Sequence, residues 1–168
     1  MIDYLKRTWA DISLDAIKQN FCKVSEILSP GCRVMAVVKA DAYGHGAGIV
    51  SRALKEAGAE WFGVSNLDEA MQIRDEGLNE SILILSYTQP DKAAQLSEYN
   101  ISQSVFNRRY AQQLSREAVK HGVTVRIHIK LDTGMSRLGF FCQEEAVLSK
   151  TVEDIEAVCS LPGLVPEG

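Results

Sequence analysis

The stretch Val34-Met35-Ala36-Val37-Val38-Lys39-Ala40-Asp41-Ala42-Tyr43-Gly44-His45-Gly46 runs an unbroken apolar segment of strand length into a single ammonium and then a polar loop marked by glycine. Segments of the same kind recur at 61–64, 82–85, 101–106 and 123–131, each β-branched or aromatic in character. Helical periodicity fills the gaps. Ile17, Phe21, Val24 and Leu28 fall on one stripe, and the same spacing selects Leu148, Val152, Ile155 and Cys159. Asn66 with Glu69 three positions on resembles a capping box opening a helix that ends near Gly77. A further helix is expected from about Asn107 to His121, stopped by Gly122.

A leading helix followed by about five strand–helix units predicts an α/β fold with parallel strands and right-handed crossovers. Two closures suit this order: an open doubly wound sheet, or a (β/α)8 TIM-type barrel, which takes roughly 250 residues. The tail Leu161-Pro162-Gly163-Leu164-Val165-Pro166-Glu167-Gly168 reads as a helix exit running toward a strand that the sequence does not complete. The expectation is therefore an incomplete barrel, with residues 1–168 its N-terminal part. Such a chain leaves interior side chains and two sheet edges uncovered, as a fragment would.

The 168 residues are 46% hydrophobic and 24% charged, with a formal net charge of -4. The densest basic spots, Lys6-Arg7 and Arg108-Arg109, are only dipeptides, which speaks against nucleic-acid binding. No apolar run approaches the ~20 residues that span a bilayer, and residues 1–6 lack the order of a signal peptide; no membrane partner and a cytoplasmic location are expected. Cys22, Cys32, Cys142 and Cys159 form no CxxC pair, and His45, His121 and His128 show no ligand spacing. These cysteines read as reduced thiols, and no metal is expected.

Two segments carry chemistry. In parallel α/β folds the C-terminal edge of the strands is where active sites form, and the first segment delivers Lys39 there. A lysine partly removed from water favours the neutral amine that attacks an aldehyde, although a strand-end lysine can also simply reach solvent. Gly44, Gly46 and Gly48 permit tight turns beside a ligand but do not complete GxGxxG, because Ile49 breaks it. Tyr43 can donate to a phosphate or merely pack; its chemistry leaves both open.

The second segment is His128-Ile129-Lys130-Leu131-Asp132-Thr133-Gly134-Met135-Ser136-Arg137-Leu138-Gly139. Alternation places Val123, Val125, Ile127, Ile129 and Leu131 on one face and Thr124, Arg126, His128 and Lys130 on the other. In a barrel strand the polar face points inward and is costly unless its charges are paired or liganded. Arg137 suits a planar partner such as a carboxylate or a cofactor hydroxyl, or else a surface ion pair with Asp132 or Glu144.

Together these segments resemble alanine racemases. The first is similar to the family's lysine motif, the run from Lys130 to Gly139 to its downstream signature, and Thr8-Trp9-Ala10-Asp11-Ile12-Ser13-Leu14-Asp15-Ala16-Ile17 to its opening. The resemblance implies pyridoxal 5'-phosphate bound covalently through Lys39, which then acts as the base exchanging the Cα proton on one face of a small amino acid. It implies that Tyr43 contacts the phosphate and that Arg137 binds the cofactor's ring hydroxyl and lies near the substrate carboxylate. Lys130 would orient Arg137, often as a carbamate. The full-length protein would be a homodimer that interconverts L- and D-alanine for cell-wall precursor synthesis. Its further phosphate loops, its C-terminal β domain and a tyrosine base from the partner would lie beyond Gly168, so the 168 residues alone would be inactive. A serine or broad-specificity racemase, and a non-catalytic pyridoxal-phosphate-binding protein of the same barrel type, are the alternatives. The family often carries asparagine where this chain has Asp41 and glycine where it has Ser136.

Overall fold

The computed structural model describes residues 8–168; the readings placed on residues 1–6 and on the Lys6-Arg7 pair lie outside the described residues. In chain order the strands are β1 (Met35–Val37), β2 (Trp61–Val64), β3 (Ser81–Ile84), β4 (Ile101–Val105), β5 (Val125–Ile129), β6 (Leu131–Asp132), β7 (Phe140–Phe141) and β8 (Leu164–Pro166). The helices are α1 (Leu14–Glu26), α2 (Lys39–Gly44), α3 (Ala47–Glu56), α4 (Leu67–Asp75), α5 (Ala93–Glu98), α6 (Arg108–His121) and α7 (Glu145–Cys159). A 3-10 turn over Pro90–Lys92 leads into α5.

Strands pair in the order β1-β2-β3-β4-β5-β8, every pair parallel, while β6 and β7 form a separate two-stranded ribbon. Neighbours in sequence are thus neighbours in space, as in a barrel and unlike an open sheet whose strand order reverses. Among the described residues β1 and β8 do not pair, so the barrel is incomplete.

Register explains the core. Ala36, Phe62, Ile82 and Ile101 stand side by side across β1 to β4 and are buried under the helices. Ile84, Gln103 and Ile127 form the next row, where the buried Gln103 amide nitrogen donates to the Ser86 and Ser104 carbonyls while its oxygen has no partner among the described residues. Phe62, Ile82, Ile84, Ile101 and Ile127 are fully or almost fully covered, each contributing about 1.5–3 kcal/mol of apolar transfer. From the helix side, Leu67, Ala70 and Ile73 of α4 and Tyr110, Ala111, Leu114 and Ala118 of α6 meet that surface at helical spacing.

Helix boundaries follow local chemistry. Asn107 accepts the Tyr110 N–H to open α6, and Gly122, at φ 65°, closes it. Asn66 likewise accepts the Glu69 N–H.

The structure amends several expectations. The tail does complete a strand, β8, which pairs with β5. In α7 the inward face runs through Ile155 to Val158, whereas Leu148 and Val152 are 40% and 53% exposed and Cys159 is exposed. In α1 only Ile17 and Phe21 of the expected stripe touch the core; Val24 is exposed, and Leu28 lies beyond the helix end. Leu131 leaves the buried face because the chain turns at Lys130 into the separate ribbon.

Candidate active site

All six parallel strands deliver their C-terminal ends to one edge, and Lys39 and Lys130 sit just past the ends of β1 and β5 on that edge. Lys39 is half-buried there. Immediately after it the chain turns left-handed: Ala40, Asp41, Ala42 and Tyr43 have φ of 51°, 54°, 51° and 57°. An L-residue in that region costs roughly 1–2 kcal/mol because Cβ crowds the following carbonyl, so four in succession form only where neighbours over-determine them.

Those neighbours can be named. The Ala42 side chain is buried, and its N–H donates to Val38 O at 2.9 Å. The Asp41 carboxylate accepts the Ala47 N–H at 2.7 Å, tying the turn to the start of α3. His45 Nδ1 donates to Ala42 O at 2.9 Å, which fixes the ring's proton on that nitrogen because a carbonyl can only accept. The Glu69 carboxylate, half-buried on α4, accepts the Ala40 N–H at 3.0 Å with one oxygen and the Ser65 N–H at 2.7 Å with the other. Gly44 and Gly46, at φ 86° and 89°, then return the chain to α3.

On the far side, the Lys130 N–H donates to Val105 O, and its ammonium reaches across β4 to Leu85 O at 3.2 Å. The following loop winds around Asp132, whose Oδ1 accepts the Gly134 and Ser136 N–H groups at 3.1 and 2.8 Å. Those two donors hold the Asp132 carboxyl below its ordinary range. Arg137 is exposed at the loop's end, with a hydrogen bond only to Met135 Sδ at 3.5 Å; the expected ion pair with Asp132 or Glu144 does not form among the described residues.

The inward polar face of β5 finds its counter-charge in Glu167, just past β8. Glu167 accepts the Ser102 hydroxyl at 2.6 Å, lies 3.2 Å from His128 Nε2 and pairs with Arg126 at 3.7 Å, while the His128 ring meets the Trp61 ring edge-on at 5.3 Å. Pairing of that face was foreseen, but its partner was not.

The four sequence-selected residues thus share one rim. Lys39 and Tyr43 stand at the two ends of the left-handed turn, Lys130 beyond the end of β5, and Arg137 on the loop that follows. No hydrogen bond joins Lys130 to Arg137 among the described residues, so an orienting contact between them is not part of this arrangement. Among the same residues, nothing engages the Lys39 ammonium or the Tyr43 hydroxyl, and Arg137 has only a thioether. An amine, a phenol and a guanidinium without protein acceptors on one rim fit a cofactor bearing an aldehyde, a phosphate and an acidic ring hydroxyl. Among the described residues no group of three or more His, Cys, Asp or Glu could hold a metal, and no helix is long and apolar enough to cross a membrane.

Glu69 was missed as a site residue. Its spacing from Asn66 announced a capping box, but the carboxylate reaches past its own N-cap to the neighbouring loop, which no local pattern encodes.

Comparison with known proteins agrees with this geometry. The family model for the N-terminal domain of alanine racemase matches residues 12–168. Alanine racemase 1 of Caldanaerobacter subterraneus subsp. tengcongensis is 35% identical over 99% of the chain, and the alanine racemase of Desulforamulus reducens is 41% identical over 95%. The solved alanine racemase of Clostridium difficile 630 superposes with a TM-score of 0.83 at 30% identity over 99% of the chain. In each case the chain spans 42% of the relative's length. The parallel strand order, the lysine at the end of β1 and a match over nearly every described residue converge: the chain belongs to the alanine racemase family, whose N-terminal domain it carries.

Proposed function

We propose that the full-length protein is a pyridoxal-phosphate-dependent alanine racemase and that residues 1–168 form the N-terminal part of its barrel, closed by further strands against the edges of β1 and β8. One observation carries the reading: the Lys39 amine, the Tyr43 phenol and the Arg137 guanidinium share the C-terminal rim of the sheet, and none has a strong acceptor among the described residues. Family membership supports it.

Lys39 would hold the cofactor through its ε-amino group, Tyr43 would donate to the phosphate, and Arg137 would donate to the ring hydroxyl and face the substrate carboxylate. When bound, the cofactor supplies an electron sink for the charge left at Cα as its proton departs. Lys39 then takes or returns that proton on one face. Racemisation needs an acid and a base on opposite faces, and we assign the second to a tyrosine of the partner subunit in a homodimer. Lys130, whose ammonium makes one bond among the described residues, to Leu85 O at 3.2 Å, is the residue we assign to carbamylation, which would turn a cation on the rim into an anion. Wide cysteine spacing supports a cytoplasmic setting, and D-alanine for cell-wall precursors is the product we assign.

Incubating the full-length protein with pyridoxal phosphate, trapping with borohydride and mapping the peptides tests the reading. A pyridoxyl label on the Lys39 peptide, together with conversion of L- to D-alanine that Lys39→Ala abolishes, is expected. A protein that takes no label at Lys39 overturns it.

A further inference from the structure

We infer that Glu69 is a positioning residue for Lys39: its carboxylate clamps the left-handed turn after β1 to the loop after β2 and so fixes where the Lys39 amine and the Tyr43 phenol stand. The inference rests on the cofactor-binding role proposed for Lys39.

The geometry is specific. The N–H that Glu69 accepts at 3.0 Å belongs to the peptide joining Lys39 to Ala40, the unit at which the chain swings from β1 into the left-handed region. Rotating that peptide would turn the Lys39 side chain away from the strand axis. The second oxygen is fixed independently, accepting the Ser65 N–H at 2.7 Å. A carboxylate between two backbone donors makes two charge-assisted bonds at once. An amide of the same shape cannot, because one of its two ends is itself a donor.

Nothing else among the described residues accepts the Ala40 N–H. Other ties act elsewhere in the turn: Ala42 N to Val38 O across it, His45 N and Nδ1 to Ala42 O, Gly46 N to Asp41 O, and Ala47 N to the Asp41 carboxylate. Val38, just before Lys39, is anchored by its N–H to Gly63 O at 2.9 Å, so the peptide between Lys39 and Ala40 is the first point past that anchor, and among the described residues Glu69 alone accepts its N–H. A strained turn that loses this bond would relax first at the peptide joining Lys39 to Ala40.

The test uses the full-length protein, with Glu69→Gln as a near-isosteric break of the clamp. Asn66→Ala serves as control, since it weakens the start of the same helix without removing either Glu69 oxygen. Two readings are taken. Amide hydrogen exchange over residues 40–43, measured without cofactor, is expected to quicken about tenfold or more in Glu69→Gln, the equilibrium factor of losing a charge-assisted hydrogen bond. Timed borohydride trapping with pyridoxal phosphate is expected to label Lys39 about ten- to a hundredfold more slowly, the penalty of misplacing a reacting group. Asn66→Ala is expected to match wild type in both, even with a lower unfolding midpoint.

Exchange and labelling that are unchanged in Glu69→Gln overturn the proposal. So does labelling that slows equally in both variants in step with lost stability, because Glu69 would then act only through the fold. Wild-type protein that takes no label overturns the reading of Lys39 instead, and the clamp then stands or falls on the exchange over residues 40–43.

Discussion

The Ser136 N–H points into the Asp132 carboxylate, 2.8 Å from Oδ1, and this bond closes the loop that carries Arg137. With the Gly134 N–H on the same oxygen, it stabilises the ionised form and holds the Asp132 carboxyl below 3.8. A depressed carboxyl contributes order that is fully present above its unfolded value and is lost as pH falls through the folded one. The loop should therefore be insensitive to pH around neutrality and loosen only below 3.8. Amide proton shifts of Gly134 and Ser136 report this: both should move toward unbonded values in strong acid, and Asp132→Ala should give the same shifts at neutral pH. Shifts that ignore both changes would show that the carboxylate does not hold the loop.

Asp41 and Ser136, the two positions where this chain departs from the usual pattern of its family, both sit in the left-handed region, at φ 54° and 53°. Asparagine and glycine suit that backbone for different reasons: asparagine tolerates it and glycine has no Cβ to crowd. Asp41→Asn keeps an oxygen for the Ala47 N–H and should leave stability within about 0.5 kcal/mol of wild type. Ser136→Gly should also be near neutral, because roughly 1 kcal/mol of relieved strain is offset by glycine's chain entropy and by the lost acceptor for Gln143, 3.2 Å away. β-branched replacements have no such balance, so Asp41→Val and Ser136→Val should each cost more than about 1 kcal/mol. Chemical unfolding of the four variants decides; equal behaviour of valine and of the family residue would remove the conformational explanation.

Much of this was legible beforehand because it is written locally. Strand and helix alternation, the Asn107 and Gly122 boundaries of α6 and the strand-end position of Lys39 depend on side chains within a turn or so of one another. The unforeseen features depend on distant partners. Nothing in Ala40-Asp41-Ala42-Tyr43 signals a left-handed turn, since three of the four residues ordinarily avoid it; the turn exists because Glu69 and the core around Ala42 impose it. The expected stripe of α7 held only at Ile155, for a related reason. Ile155 continues to Val158 at helical spacing as well as it does back to Leu148 and Val152, and only packing against the sheet chooses between the two apolar stripes that share it.

Tyr110 joins the two kinds of feature. It lies on the buried face of α6, stacks on Phe106 at 4.7 Å and donates its hydroxyl to Thr88 O at 2.9 Å. Burial pushes its phenol well above the ordinary value of 10.0, only partly countered by the Thr88 bond. Tyr110→Phe keeps the stack and leaves the Thr88 carbonyl without that donor, which should destabilise the full-length protein by about 1–2 kcal/mol while pyridoxal phosphate labelling at Lys39 proceeds at the wild-type rate. Stability and labelling falling together would mean that the loop after β3 also shapes the site.

Arg74, at the end of α4, fixes the opposite edge of the sheet. Its guanidinium donates to four carbonyls: Tyr99 through Nε at 2.8 Å, Leu78 and Glu80 through Nη1 at 2.9 and 2.8 Å, and Asn100 through Nη2 at 2.9 Å. These groups precede β3 and β4, so one side chain sets where both strands begin. A planar fork reaches carbonyls in several directions, whereas a lysine ammonium at the end of a flexible stem cannot reproduce that layout. Arg74→Lys should cost about 2–4 kcal/mol, given roughly 1.5–3 kcal/mol for each bond from a charged donor and partial rescue by the ammonium. Arg74→Met separates charge from shape. If the fork is what matters, lysine should fall clearly below wild type and methionine, with no rescuing ammonium, lower still; a lysine variant close to wild type would show that a positive charge at the strand starts is sufficient, and that the four-carbonyl geometry is incidental.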